Sequence, residues 1–427
     1  MSRPSFLAGA ALAAVFANNA AWAGSAVPEL GNPKVEATRR IGIEASVGVK
    51  HESNIARSDQ SLASQRGLVP ADERLSPDVD TDIMLPFGAH YVQLTGNGRY
   101  EIYRRNSRLN HAAIAADPKF GLDFGRCRTD LAGGYARRQS DLSEAGATLP
   151  SGIDSVRNIE STLSASAAGS CGGAVGLRPS LSVKYVHATN DNPRRSPIDF
   201  DTTVYAAGIG YEHPAIGNIL FFASRNEVRF PRQLLPAGGE NGYNMRHFGA
   251  KFVRKIGSRL QGEFEVTYEE LDARATADPA LNGLNWNFDL TATATPRLTL
   301  HGEFSREIAN TLTTAALFHR DTSTSLDASY TVSSRTTAKL GYATVWRRFA
   351  GTSASSTTVS SGPLLTSDRR TSYSGSLSYN LSPRFSVTFE AERETRHAND
   401  RYFAYANNQF GLSLVCKLGT DAQGPKG

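Results

Sequence analysis

The chain has 427 residues, of which 40% are hydrophobic and 20% charged, with 38 glycines, 19 prolines and 3 cysteines. It is too apolar for a disordered protein and too poor in cysteine for a disulfide scaffold. Its 46 Lys and Arg are interspersed with 41 Asp and Glu, so the charge pattern predicts no nucleic-acid surface. Beyond residue 23 no stretch reaches about 18 consecutive apolar residues, which excludes a helical transporter and leaves a soluble protein or a membrane β-barrel.

Residues 1–23 have the features of a secretory signal. Arg3 gives a short positive region, residues 6–17 are almost wholly apolar, and Ala21-Trp22-Ala23 forms a small-x-small cleavage site. The mature chain is expected to begin with a periplasmic segment over residues 24–40. Export would carry all three cysteines into an oxidising compartment, where a disulfide can persist.

From residue 41 to residue 418 the sequence repeats segments of about 10 to 13 residues in which apolar and polar side chains alternate. In residues 260–268, for example, Leu, Gly, Phe, Val and Tyr alternate with Gln, Glu, Glu and Thr. A soluble β-sandwich also alternates, but its strands are usually about 5 to 6 residues long. A strand tilted across a bilayer needs about 9 to 11 residues, so segment length favours a transmembrane sheet.

The connections between segments alternate between tight turns and long loops, which is typical of outer-membrane barrels. Arg259, Arg297 and Arg335 close tight turns at intervals of 38 residues, and Arg384 closes the next one after a Ser/Thr-rich loop at 350–367. This spacing indicates a repeated hairpin of one up-strand and one down-strand.

Counting strands between the turns and loops predicts eighteen, with sixteen or twenty as alternatives. The predicted fold is all-β: a closed antiparallel transmembrane β-barrel over residues 41–418, followed by a periplasmic tail over residues 419–427. Among its predicted elements are strands at 80–89 and 323–332 and long loops at 52–77 and 230–242. Bulges are expected at Pro86, Pro118 and Pro179, which lie inside predicted strands and lack a donor.

Alternation also assigns each side chain to one face of the barrel. The lipid face is apolar, as at Trp286, Phe288 and Leu290, and the opposite face should line a lumen that about eighteen strands make wide enough to hold water. Charged pore-lining residues tune which solutes pass, although they could instead pair with one another and merely keep the lumen hydrated. The predicted pore-lining residues are Arg99, Arg178, Lys251, Glu263, Glu265, Glu303, Lys339, Arg347, Glu390, Glu392 and Glu394.

No catalytic residue, metal site or cofactor is predicted. The sequence lacks a Gly-rich phosphate loop, HExxH, CxxC and a nucleophile elbow. Its nine histidines show no repeated short spacing, which favours amphipathic rim residues over metal ligands. Ser305 and His301 alternate onto the same wall, but no third group is indicated to orient them, so an enzyme is not expected.

The cysteines fall into two groups. Cys127 and Cys171 lie in neighbouring tight turns and hence at the same rim, whereas Cys416 alternates onto the lipid face with Phe410 and Leu412. We therefore predict a Cys127–Cys171 disulfide. The alternative is two unpaired turn thiols.

The residues around the first strand resemble a known family. The stretch Ser53-Asn54-Ile55-Ala56-Arg57-Ser58-Asp59 is similar to the SNIxRSD opening of the outer-membrane β-barrel porins encoded with exopolysaccharide operons, the EpsL-like type. Residues 76–91 resemble that family's second strand and residues 410–414 its closing strand. The chain departs from common barrels by continuing past Leu418 instead of ending in an aromatic residue.

This resemblance implies passage of a polysaccharide across the bacterial outer membrane, and it carries over no catalytic residues. The expected partners are outer-membrane lipid, a polysaccharide or other hydrophilic solute, and periplasmic export machinery, with no nucleic acid. A general or substrate-specific uptake porin has the same physical features and stays open as an alternative. A third hypothesis is a structural or adhesive barrel, or a barrel enzyme.

Overall fold

The structure is a computed structural model. It describes residues 38–59, 63–64, 66–140, 142, 157–173, 175–193, 195–235, 238–274, 281–310, 318–350 and 365–419. The signal at 1–23, most of the segment at 24–40 and of the loop at 350–367, and the tail after residue 419 therefore lie outside the described residues.

Eighteen β-strands make up most of the described chain. They are long because each carries an alternating pattern over 13 to 18 residues. In order they are β1 Arg40–Glu52, β2 Asp72–Phe87, β3 His90–Tyr103, β4 His111–Phe124, β5 Cys127–Gln139, β6 Ile159–Cys171, β7 Gly176–Asn190, β8 Phe200–His213, β9 Gly217–Leu234, β10 Glu240–Ile256, β11 Leu260–Ala273, β12 Leu281–Thr295, β13 Leu298–Asn310, β14 Phe318–Thr331, β15 Thr336–Ala350, β16 Ser367–Asn380, β17 Phe385–Ala398 and β18 Tyr405–Gly419.

Each strand pairs antiparallel with its neighbours in sequence, and the last strand closes on the first. The β1–β18 register runs from Gly42 opposite Gly419 to Glu52 opposite Gln409. Closure leaves no open sheet edge, so the backbone N–H and C=O groups of every strand can pair within the sheet. The predicted closed antiparallel barrel of eighteen strands is confirmed. Among the described residues no helix has the length and apolar character needed to cross a membrane.

The four arginines of the hairpin repeat have the same backbone role. The carbonyls of Arg259, Arg297, Arg335 and Arg384 each accept a hydrogen bond from the strand after next, at N···O distances of 2.7–2.8 Å. The donors are the N–H groups of Thr293, Thr331, Asn380 and Lys417. In the last three turns a hydroxyl from Thr295, Ser333 or Ser382 also accepts from the N–H of the arginine, at 3.2 Å. The repeat in the sequence therefore corresponds to a repeated hydrogen-bonding pattern at the tight turns.

Several strands extend further towards the long loops than predicted. β2 begins at Asp72, inside the predicted loop at 52–77, and pairs with β1 from there. The sequence did not reveal this part of the strand because its inward side chains are charged and their partners lie elsewhere: Asp72 accepts from the N–H of Asn106, and Arg74 and Asp78 form ion pairs with residues of β3. β9 and β10 likewise continue through the predicted loop at 230–242, leaving only residues 235–239 between them, and β14 begins five residues before the predicted 323–332 strand.

The prediction of bulges at the three prolines is wrong. Pro86 lies opposite Tyr91 and Pro179 opposite Ile209 in unbroken register. At Pro118 the pairing with β5 lapses from Asp117 to Pro118 and then resumes in the same register. The absent N–H of proline therefore removes a strand pairing locally but does not produce a bulge. The lost hydrogen bond is confined to one side of the strand, so the register continues unchanged.

Apolar side chains also pack inside the barrel near its loop end. Val186, Phe230, Tyr243, Met245 and Leu271 belong to one buried cluster contributed mainly by β7–β11. The sequence predicted a polar inner face, but this part of the inner face is apolar. Large side chains that point inward on adjacent strands contact one another and withdraw from water.

Candidate pore wall

Burial alternates along the strands and separates the two faces. On β16, for example, Asp368, Arg370 and Ser372 are buried whereas Arg369 and Tyr373 are exposed on the outside. By this alternation all eleven predicted pore-lining residues occupy inward positions. Their accessibility differs, however: Arg178, Glu265, Arg347 and Glu394 are buried within the wall, and the other seven are at least partly accessible.

Most of these eleven side chains contact a partner on a neighbouring strand. Glu265 accepts a hydrogen bond from Thr267 at 3.4 Å, and neither Glu303 nor Glu392 forms an ion pair with a described residue. The ion pairs are Arg99–Asp78 at 2.8 Å, Arg178–Glu212 at 2.8 Å, Lys251–Glu263, Arg347–Asp368 at 2.7 Å and Glu390–Lys50 at 3.9 Å.

A buried network of charges joins β15, β16 and β17 at the loop end of the lumen. The Asp368 carboxylate accepts from Arg347 at 2.8 and 2.7 Å and from Arg396 at 2.6 and 2.5 Å. Beside it the Tyr405 hydroxyl donates to Glu394, and Arg370 lies 3.9 Å from the same carboxylate. Three arginines thus surround two carboxylates that have no exposed side-chain surface.

A second set of charges, on the inward face of β11–β14, is acidic. The strands contribute eight carboxylates there, and none of their described inward positions holds a lysine or arginine. We call this surface the acidic wall; its residues are Glu263, Glu265, Glu269, Asp289, Glu303, Glu307, Asp321 and Asp327. The sequence reading identified the glutamates but did not group the aspartates with them.

Like charges stand directly opposite one another within the acidic wall. Asp289 is the register partner of Glu303, and Glu307 is the register partner of Asp321. Directly opposed like charges destabilise a sheet. These two pairs concentrate acidic side chains on adjacent strands of the inner face.

Three histidines lie beside carboxylates of the acidic wall. His247 lies 2.9 Å from Glu269, His301 lies 2.9 Å from Asp289 and 3.7 Å from Asp327, and His319 lies 3.2 Å from Asp321. Sequence spacing could not find the pairs of His247 and His301, because each joins two strands, whereas His319 and Asp321 lie two residues apart on β14. Ser305 does not contact His301; its hydroxyl is hydrogen-bonded to that of Ser323 at 2.6 Å.

The residues that carry the family resemblance lie at the mouth of the lumen. The N–H of Asn54 donates to the Asn407 side chain of β18 at 2.9 Å, and Ile55 and Ala56 are buried against the β3–β4 connection at Leu109. Arg66 donates to the carbonyl of Ala56 at 3.0 Å. The motif thus folds the β1–β2 connection against the wall instead of leaving it in solvent.

Cys127 and Cys171 are register partners on β5 and β6, and their sulfurs are bonded. Their Cα atoms are 4.0 Å apart at the tight-turn end. Cys416 is the free thiol of the described chain and occupies an outward position on β18. The described residues contain no group of three or more His, Cys, Asp or Glu side chains that could hold a metal ion.

Replacing Cys127 and Cys171 by serine is expected to lower the free energy of unfolding by about 3–4 kcal/mol, since the bond closes a loop with a sequence separation of 44 in the unfolded chain. Urea unfolding of the purified barrel would measure the loss, with Cys416→Ser as the matched control. Mass spectrometry of non-reduced protein should recover the linked peptides, and two free thiols in oxidised membranes would contradict the pairing.

A known protein family matches the second half of this barrel. Residues 239–418 match the family described as "Putative beta-barrel porin 2". The matched residues coincide with β10–β18, which include the acidic wall and the buried arginine network. Over these residues the chain is similar to that family. No protein of curated function matches the sequence.

Three solved bacterial structures are similar to this chain at low sequence identity. The Pseudomonas aeruginosa protein OccK11 (OpdR) is 11% identical with a TM-score of 0.43, covering 90% of this chain and 96% of that one. The FrpB iron transporter from Neisseria meningitidis is 11% identical with a TM-score of 0.49, covering 86% and 64%. The siderophore receptor PirA from Acinetobacter baumannii is 7% identical with a TM-score of 0.44, covering 90% and 81%. These likenesses carry no information about the solute of this chain.

Proposed function

We propose that the protein is a passive conduit in the bacterial outer membrane through which an exopolysaccharide is exported. The observation that carries this proposal is the continuity of polar side chains along the wall. On β14, β16 and β17 the inward positions between the strand ends are all polar; on β16 they are Asp368, Arg370, Ser372, Ser374, Ser376 and Ser378.

Such a wall suits a hydrated polymer for a physical reason. A glycan chain presents hydroxyls along its whole length, and a row of hydroxyl, amide and carboxylate groups offers each of them a weak partner. A site that bound the polymer tightly would also stop it from leaving. The position of the Ser53–Asp59 motif at the mouth supports the same proposal, since the resemblance to exopolysaccharide-operon porins rests on that motif.

Deletion of the gene tests the proposal in cells. Secreted polysaccharide should be lost, and polymer should accumulate in the periplasm, with restoration by the plasmid-borne gene. Normal secretion in the deletion strain would overturn the proposal.

The proposed orientation places the tight turns in the periplasm and the long loops outside. In a Cys416→Ser background, Ser107→Cys in the β3–β4 connection should react with a membrane-impermeant maleimide on intact cells. Ser334→Cys in the β14–β15 tight turn should react only after the outer membrane is permeabilised. Both side chains are exposed, so access alone decides the outcome. Labelling of Ser334→Cys alone on intact cells would invert the orientation.

The acidic wall favours a second candidate, a substrate-specific uptake porin. A one-sided cluster of carboxylates suits selection of small cationic solutes more than uniform sliding of a polymer. Growth of the deletion strain on low concentrations of such solutes separates the two functions, because impaired uptake with normal polysaccharide secretion would support the porin.

A further inference from the structure

We propose that the outer surface of β13–β17 binds the phosphate groups of lipids in the membrane leaflet at the long-loop end. The surface carries four arginines that we call the outer arginine cluster. They are Arg306 on β13, Arg348 on β15, Arg369 on β16 and Arg393 on β17.

The four side chains occupy the same face as the lipid-facing apolar residues. Trp346 is the register partner of Arg369, and Tyr373 is the register partner of Arg393; both aromatic residues are exposed on the outside. The Arg369 guanidinium lies 5.3 Å from the centre of the Trp346 ring, which confirms that the two share one face. Arginine beside an interfacial aromatic is the arrangement expected at headgroup level.

The cluster sits above the apolar band and near the loops. Arg348 is two residues before the end of β15, Arg369 two residues after the start of β16, and the other two are within five residues of their strand ends. Towards the tight turns the same face continues with apolar residues such as Leu340 and Leu377. An arginine in the hydrocarbon core would be costly, so this depth requires the headgroup region.

No acidic side chain shares this face. The described outward positions of β13–β17 contain no aspartate or glutamate, and none of the four arginines forms an ion pair with a described residue.

Three outward arginines on β9 and β10 provide an internal contrast. Arg225 and Arg229 lie 2.8 and 3.4 Å from Glu227, and Arg246 lies 3.7 Å from Glu270 and 3.5 Å from Asp272. These arginines have carboxylate partners, whereas no arginine of the outer arginine cluster forms an ion pair with a described carboxylate. The guanidinium fork matches phosphate oxygens in a bidentate geometry, so a phosphorylated lipid headgroup supplies the missing anion.

The experiment compares two arginine variants of the purified barrel in neutral detergent, one with four substitutions and a control with three. One replaces Arg306, Arg348, Arg369 and Arg393 by glutamine, and the control replaces Arg225, Arg229 and Arg246 by glutamine. Binding of lipid A, the phosphorylated glycolipid, is titrated by the shift in the barrel's thermal midpoint. An arginine near an anionic surface changes affinity about fivefold, so the cluster variant should bind at least about tenfold more weakly and the control should bind like wild type.

A second arm uses wild-type protein and does not depend on the variant folding. Dephosphorylated lipid A should lose the stabilising shift, and inorganic phosphate alone should not reproduce it. Equal binding of phosphorylated and dephosphorylated lipid, equal binding by free phosphate, or unchanged affinity of the cluster variant would overturn the inference. The inference rests on the outer-membrane location proposed above, but this assay contains no polysaccharide, so its failure is distinct from failure of the export function.

Discussion

Replacing Asp368 by asparagine is expected to lower the free energy of unfolding by about 3–5 kcal/mol, the usual cost of breaking a buried ion pair by removing one partner. The Asp368 carboxylate has no exposed surface and accepts from both Arg347 and Arg396, which are themselves buried. An amide cannot balance two guanidinium charges, so the substitution leaves buried positive charge without compensation. Urea unfolding in detergent measures the change, with the gel mobility of the folded barrel as the readout.

The matched control is Glu390→Gln on the adjacent strand β17. Glu390 is also an inward carboxylate, but it is 37% exposed and lies 3.9 Å from Lys50, which is 25% exposed. An exposed pair of this kind contributes about 0–1 kcal/mol. Equal losses in the two variants would show that the Asp368 network is no more important to stability than an ordinary surface pair.

Neutralising the acidic wall is expected to change ion selectivity while leaving the barrel folded. We choose Glu265→Gln, Glu303→Gln and Glu307→Gln together, because none of the three forms an ion pair with a described residue. Charged walls within a low-dielectric cleft concentrate counter-ions, so the triple variant should lower the cation-to-anion permeability ratio by a factor of roughly 3 to 10. Reversal potentials across planar bilayers under a salt gradient give this ratio directly.

Two controls accompany that variant: its own unfolding stability, and a second variant that removes the same number of carboxylates from the outer face. Two of the three substitutions remove a charge from a directly opposed like-charge pair, so unfolding stability should be unchanged or increased. Glu227→Gln, Glu270→Gln and Asp272→Asn remove the same total charge from the outer face and should leave selectivity unchanged. A selectivity shift in both variants would contradict a specific contribution of the acidic wall.

The architecture could be predicted from the sequence because a transmembrane sheet imposes a strict two-residue period. Segment length and the interval between Arg259, Arg297 and Arg335 were enough to predict eighteen strands and their direction. The period failed where inward residues contact partners on other strands. Arg74, which pairs with Glu101, lies in the predicted loop at 52–77, and Phe230, which packs near Tyr243 inside the barrel, lies in the predicted loop at 230–242.

The pore wall could be predicted only residue by residue. Alternation placed Glu394 and Arg347 on the inward face, but it could not show that they are buried in a network rather than open to the lumen, since that depends on Tyr405 and Asp368 from other strands. The same limit hid the His247–Glu269 and His301–Asp289 pairs. Cross-strand partners depend on register, and the register follows from turn lengths that the sequence defines to within a few residues.

Blocking the lumen in living cells tests most directly whether the polymer passes through the barrel. Ser374→Cys introduces an inward thiol on β16, and Ser107→Cys introduces an exposed thiol outside the lumen, each in a Cys416→Ser background. After labelling both with a bulky maleimide–polyethylene glycol reagent, polysaccharide secretion should fall sharply in the Ser374→Cys strain and continue in the Ser107→Cys strain. Undiminished secretion through a fully labelled Ser374→Cys barrel would contradict export through this lumen.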